Sequence, residues 1–256
     1  MKIALITGAS SGLGREFVLR IDKEQRVDEI WVIARRADRL EQLRDQTTTP
    51  IRPLPMDLTD PASLEGLSRL LYEEKPLIDI LVCAAGFGRI GRSRDIPSGD
   101  NLAMIDLNCR AAVAVTSMAF PFLEKGSRII EICSTAGFQP MPSLGVYAAS
   151  KAFLLSYTKN LHHELLLSGI HVTAVCPYWV KDTEFIPTAQ TADVKSYHHF
   201  LLANRSKSVV WLAMMDSRLN LWVSTPGPVC LIHRFFAKFI PHFIMVPLMD
   251  LLRFIL

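Results

Sequence analysis

Tyr147 stands thirteen positions after Ser134 and four before Lys151. If the chain is helical from 147 onward, Tyr147 and Lys151 share one helix face. A lysine cation beside a phenol favours phenolate and is expected to draw its pKa down from about 10 toward neutrality. Tyr147 then serves as a general acid or base. Ser134 closes the apolar run RIIEICS (128–134) and can donate to a carbonyl or alkoxide oxygen. Each residue alone has an ordinary use: a solvated helix charge, a buried aromatic, a turn at a strand end. Their joint spacing is what points to proton transfer at an oxygen.

A second constellation lies at the start of the chain. KIALIT (2–7) is followed by Gly8, Ser10, Ser11, Gly12, Leu13 and Gly14 in TGASSGLG. Glycines there allow a tight turn and let a pyrophosphate reach backbone N–H groups, and a following helix presents its positive N-terminus. The motif alone is weak, but here it sits between a strand and a helix, the context a dinucleotide requires. The next strand ends in Ala34-Arg35-Arg36. An NAD site prefers an acid there for the ribose 2′-hydroxyl. Two guanidiniums suit a 2′-phosphate instead, so NADP(H) is favoured and NAD(H) is the alternative. The plainer reading makes Arg35 and Arg36 solvated charges at a helix start.

The elements that must position these residues alternate strand and helix. Apolar runs at 2–7, 29–34, 51–57, 78–84, 128–134 and 170–176 alternate with helical patterns at 13–22, 37–46, 60–71, 100–123 and 145–168. Near-continuously apolar strands imply a parallel sheet covered on both faces. The fold class is α/β: a Rossmann-type doubly wound parallel sheet in three α/β/α layers, read as a single domain over 1–256. Asp60-Pro61 predicts a helix start, with Asp as N-cap and Pro in the first turn. Residues 187–226 read as a substrate-side helical region with a last strand at 221–227, and 227–256 as an apolar, basic C-terminal extension.

With these residues in view, the chain resembles the short-chain dehydrogenase/reductase family over about residues 1–186. TGASSGLG matches that family's cofactor loop, and Ser134 with YAASK (147–151) matches its catalytic residues. The resemblance implies that Asp57 and Leu58 meet the adenine, and that Ala84, Ala85 and Gly86 border the cofactor. It places Pro177, Val180 and Thr183 at the nicotinamide end. Asn108 would hold a water near Lys151, completing a proton relay. The implied reaction passes a hydride between nicotinamide and a carbonyl carbon, with Tyr147 moving the proton, Ser134 holding the oxygen and Lys151 also bonding the ribose. The family's dimer helix corresponds to 145–168, with Leu154, Leu155, Leu161 and Leu165, so a homodimer or homotetramer is expected.

Two departures stand out. The family often has Asn-Asn-Ala-Gly after the fourth strand, where this chain has Cys83-Ala84-Ala85-Gly86, which puts local stability in question. The usual Pro-Gly after the sixth strand is Pro177-Tyr178. Candidate substrate residues are Phe87 and Ile90, Phe138 to Pro142 (with Gln139 and Met141 among them), and Tyr178, Trp179, Phe185 and Ile186. They are largely apolar, which suits a steroid or a fatty or aromatic ketone; they also suit core or dimer packing. No arginine is evident as a carboxylate clamp.

Composition narrows the rest. Of 256 residues half are hydrophobic, and the net charge is only +3, which argues against a nucleic-acid partner. The odd cysteine count and the lack of a C-x-x-C spacing predict reduced thiols and no metal site. With no leader pattern and no run of 18 apolar residues, a cytoplasmic location is expected. The tail 230–256 leaves three readings open: packing on a partner subunit, peripheral membrane contact as basic amphipathic helices, or covering the substrate pocket. Pro241 and Pro247 are expected to break it. The reading from another class is a dinucleotide-binding regulatory or membrane-associated protein without turnover.

Overall fold

A sheet of seven parallel strands runs in the order β3-β2-β1-β4-β5-β6-β7. The computed structural model describes residues 1–24, 26–190 and 202–252. The strands are β1 (Lys2–Thr7), β2 (Glu29–Ala34), β3 (Ile51–Pro55), β4 (Leu77–Cys83), β5 (Arg128–Ile132), β6 (His171–Val175) and β7 (Val223–Ser224). Strand order reverses between β1 and β4, so the crevice at their carboxyl ends is where such a sheet takes a ligand. Pro53 and Pro55 lie in edge strand β3, where a missing N–H breaks no inner ladder.

The helices form two layers. On one face, α1 (Gly12–Glu24) and α8 (Ser206–Arg218) cover a core that includes Phe17, Ile21, Val209 and Met214. On the other, α3 (Pro61–Glu74), α5 (Ala112–Ala119) and α6 (Gly145–Leu165) cover Leu67, Val115 and Leu161. Asp60 caps α3, accepting from the N–H groups of Ala62 at 3.3 Å and Ser63 at 3.1 Å. The helix expected over 37–46 stops early: α2 (Ala37–Glu41) gives way to a 3₁₀ turn at Arg44–Gln46. Beyond it, the Asp22 carboxylate on α1 accepts from the N–H groups of Thr48 at 2.9 Å and Thr49 at 2.7 Å, drawing the chain toward β3.

The helical pattern at 100–123 is also interrupted. It is built from α4 (Ser98–Ile105), a π-helical segment at Asp106–Ala111, then α5. The run 98–122 is long and apolar enough to cross a membrane by length and composition. Here its buried side chains serve the domain's own core. On α6 the expected dimer leucines are corrected: Leu154, Leu155 and Leu161 are buried within the subunit, and Leu165 packs on the same core. They face this chain's own sheet. Outward on that helix is Phe153, whose ring stacks on Tyr157.

Short helix α7 (Phe185–Ala189) follows β6. Within the expected region 187–226, residues 191–201 lie outside the described residues. The tail forms α9 (Pro228–Phe239) and α10 (His242–Leu252). Pro241 separates them as expected, but Pro247 lies inside α10 and does not end it. Arg253 lies outside the described residues.

Candidate active site

The carboxyl ends of the central strands open into one cleft of about 580 Å³, running from Arg35 and Arg36 past the glycine loop to Tyr147 and Lys151. Gly8 shows why the loop needs its glycines. It has φ +68°, and a Cβ there would stand 2.7 Å from the backbone of Ala84, so a side chain would drive β1 and β4 apart at the crevice. Thr7 adds the next layer. Its hydroxyl accepts from the N–H groups of Ala84 and Ala85, both at 3.1 Å. These bonds tether the Ala84-Ala85 loop, which lacks the two asparagines the family often has there.

Cys83 is likewise held. Its sulfur lies 3.5 Å from the Thr116 hydroxyl, which donates to Glu131 at 2.7 Å. Glu131 is fully buried on β5, and burial raises its carboxyl from 4.5 to about 7. A raised folded pKa means stability that is fully present below pH 4.5 and lost as pH rises to about 7, because the unfolded chain ionises first. Glu131→Gln should therefore flatten the pH dependence of stability across that window, a change on the order of 3 kcal/mol. Urea unfolding at about pH 5 and about pH 8 checks it; an unchanged slope in the variant would refute it.

Ser134 stands two residues beyond the end of β5. Its hydroxyl accepts from the N–H of Ala136 at 3.1 Å, capping a 3₁₀ turn, so it acts as turn residue and cleft-lining hydroxyl together. Its hydroxyl also faces the Tyr147 phenol and favours the phenolate. Tyr147 and Lys151 occupy one face of α6, with the ammonium 5.9 Å from the phenol ring centroid. Lys151 donates to the carbonyl of Ile132 at 2.6 Å. Ser134, Tyr147 and Lys151 are all less than a tenth exposed.

The expected direction of the tyrosine's pKa is reversed. Burial pushes the Tyr147 phenol well above its ordinary value, against the smaller pull of the Ser134 hydroxyl. Burial also lowers the Lys151 ammonium, with the neighbouring Cys133 and Glu131 opposing it. Depth outweighs pairing: a phenol removed from water strongly disfavours its anion.

Asn108 lies in the π-helical segment and is fully buried. Its amide clamps the backbone of Phe87: the Phe87 N–H donates to Oδ1 at 3.0 Å, and Nδ2 donates to the Phe87 carbonyl at 2.9 Å. Nδ2 also reaches the Ser150 hydroxyl at 3.1 Å. A Cβ on Gly86 would come within 2.9 Å of Asn108 Oδ1 and 3.5 Å of Lys151 Nζ. Asn108, Gly86 and Lys151 thus form one contiguous group, although Asn108 does not itself line the cleft. A π turn at a functional site is a recurring device for offsetting such a side chain.

At the other end, Arg36 donates to the Ser10 hydroxyl at 3.0 Å, the Ser11 hydroxyl at 2.9 Å and the Glu184 carboxylate at 2.8 Å. Arg39 pairs with the other oxygen of Glu184. The two guanidiniums hold the Glu184 carboxyl down at about 2. Burial would raise the Asp57 carboxyl, but the Thr59 N–H and hydroxyl and the Arg35 charge hold it below its ordinary value. Sequence reasoning missed Arg39 and Glu184. They stand 145 positions apart, and only the fold joins them.

Of the remaining expected residues, Leu13, Gly14, Leu58, Pro177, Val180 and Thr183 line the cleft, as do Phe87, Tyr178, Trp179 and Phe185. Trp179, Phe185, Ile90 and Ile186 cluster with Tyr147. Phe138 and Gln139 are corrected. Phe138 turns away toward α9, with its ring edge-to-face at 5.9 Å from His233. Gln139 is buried behind the cleft. Pro142 does not line it, while Met141 and Leu144 do. Arg89 also reaches the cleft wall, tied to Asp100 at 2.7 Å and to the Thr188 carbonyl. No sequence signal marked it, because its partners come from two other segments.

Residues 2–193 match the model of the short chain dehydrogenase family. A curated protein of Staphylococcus epidermidis, named an uncharacterized oxidoreductase, is 29% identical over 230 residues, which is 89% of this chain and 97% of that protein. Sulfoacetaldehyde reductase 2 of Chromohalobacter salexigens is 33% identical over 192 residues, 72% of this chain and 74% of its own. Among solved structures, a short-chain dehydrogenase from Sphingobium yanoikuyae in complex with NADPH superposes with a TM-score of 0.80 at 29% identity, covering 93% of this chain and 92% of that one.

Proposed function

Because the chain belongs to the short-chain dehydrogenase family, whose members are oxidoreductases with nicotinamide cofactors, we propose that it reduces a hydrophobic ketone with NADPH. The observation that carries this reading is the single cleft joining an arginine cluster to a buried Ser134–Tyr147–Lys151 group. The residues fit a dinucleotide. The Gly8 turn leaves backbone approachable at the N-terminus of α1, which favours an anion. Arg35 and Arg36 line this end of the cleft with forked donors suited to a 2′-phosphate, and no acid closes β2. NADPH in the related Sphingobium structure agrees with this choice.

The bound cofactor supplies the hydride. The chain's own residues do the rest. Ser134 presents its hydroxyl toward the substrate's oxygen and orients it. Tyr147 donates the proton to that oxygen; a buried phenol stays protonated at neutral pH, which suits reduction. Lys151, close beneath the ring, steadies the phenolate left behind, and Asn108 holds the Phe87 backbone that walls the site. Trp179, Phe185, Met141 and Leu144 exclude water from the carbonyl.

The substrate class follows from that wall. Aromatic and aliphatic side chains surround Tyr147, and the charge on Arg89 is met by Asp100. Apolar aryl and long alkyl ketones should be turned over in preference to short keto acids. Following the loss of reduced-cofactor absorbance across such a panel tests this; a preference for small anionic carbonyls would overturn it. A homodimer or homotetramer in the cytoplasm is part of the proposal, tested by light scattering of the purified chain.

A further inference from the structure

α9 is two-sided. Cys230, His233 and Ala237 are buried against the domain, with His233 on Phe138, while Leu231, Ile232, Phe235 and Phe239 face outward, each more than half exposed. α10 continues the surface with Phe243, 78% exposed, and Leu251, 63% exposed. So large an apolar area marks an interaction face.

Charge decides what it meets. From residue 217 to 249 the sequence contains no Asp or Glu. Lys238 is exposed among the phenylalanines, its ammonium 5.6 Å from the Phe239 ring centroid, and Arg234 lies on the same helix, donating to the Val223 carbonyl. A second copy meeting this face by a two-fold axis would set Lys238 and Arg234 against their like, with Asp250 near the end of α10 as the one acid on these two helices. An anionic lipid surface offers both the apolar depth and the opposite charge. Neither helix spans a bilayer: α9 has 12 residues and α10 has 11, against the roughly 20 a crossing needs.

We propose that α9 and α10 dock the protein on the surface of an anionic membrane, with the outward phenylalanines in the headgroup boundary. The face adjoins the site: Met249 of α10 packs against the cluster containing Tyr147, Trp179 and Phe185. Docking would thus set the substrate wall beside the lipid in which an apolar ketone dissolves. This second step rests on the proposed ketone reduction; the docking does not.

Flotation of the full chain with phosphatidylcholine vesicles, with and without about a third of phosphatidylglycerol, tests it. The wild type should float with the anionic vesicles and largely remain below with the neutral ones. Phe235→Ser with Phe239→Ser should abolish flotation, and Lys238→Glu should weaken it about thirtyfold, as a two-charge change near the surface implies. Both variants alter exposed side chains, and an unchanged thermal shift with NADPH verifies their fold. Failure of the wild type to float would overturn docking, as would light scattering showing a dimer that the phenylalanine variants dissolve without any vesicle binding. Flotation needs no turnover, so an inactive protein that floats would refute only the ketone reading.

Discussion

Tyr147→Phe should remove turnover while leaving the cleft able to bind NADPH. The change deletes one oxygen from a side chain under a tenth exposed, and the ring keeps its packing against Phe185, whose centroid lies 5.4 Å away. Stability and cofactor affinity should therefore hold. The lost group is the proposed proton donor, and general acid catalysis contributes about 10²–10⁴-fold. The fall should appear in kcat and in kcat/KM alike, with KM nearly unchanged, as when an interaction made only in the transition state is lost. Single-turnover oxidation of NADPH with a saturating ketone checks it. Full activity in the variant would transfer the proton to another group and overturn the role given to Tyr147.

Arg36→Ala should weaken NADPH by about 10- to 100-fold, the worth of one or two hydrogen bonds to a charged group. Arg36 sits at the arginine end of the cleft, bonded to Ser10, Ser11 and Glu184. NADH has no 2′-phosphate, so its affinity should fall by much less, through loosening of the Ser10–Ser11 turn alone. Arg36→Lys should recover part of the loss, because it keeps the charge but not the planar fork. Equal losses for both cofactors, measured by fluorescence titration, would refute the phosphate assignment.

Much of this was legible in the sequence because it is local. The strands announced themselves as apolar runs, and the glycine loop and the Tyr147–Lys151 spacing each lie within a few residues. The carboxyl ends of a parallel sheet then had to bring them together. What could not be read is what folding joins or buries. Glu184 meets Arg36 and Arg39 from a segment far along the chain. Leu154 and Leu161 have helical spacing, but spacing identifies an apolar face without saying whether it meets the chain's own sheet or a partner. Phe138 follows a site strand and yet turns to α9. The Tyr147 phenol was expected to fall in pKa beside a cation, whereas its depth, invisible in the sequence, raises it. The two missing asparagines are compensated by Thr7 and by the Thr116–Glu131 pair, polar residues buried in strands and helices that read as core.

If a hydride passes from NADPH to a carbonyl carbon beside Tyr147, an isotopic label on the nicotinamide must follow it. NADPH carrying deuterium at the nicotinamide C4, in each of its two stereochemical forms, can be incubated with the purified chain and an aryl alkyl ketone, and the alcohol analysed by mass spectrometry. The expected result is one deuterium on the carbinol carbon from one form only, with label transfer lost in Tyr147→Phe. Cofactor that binds tightly but yields no labelled alcohol from any ketone of the panel would contradict it, leaving a dinucleotide-binding protein without this chemistry.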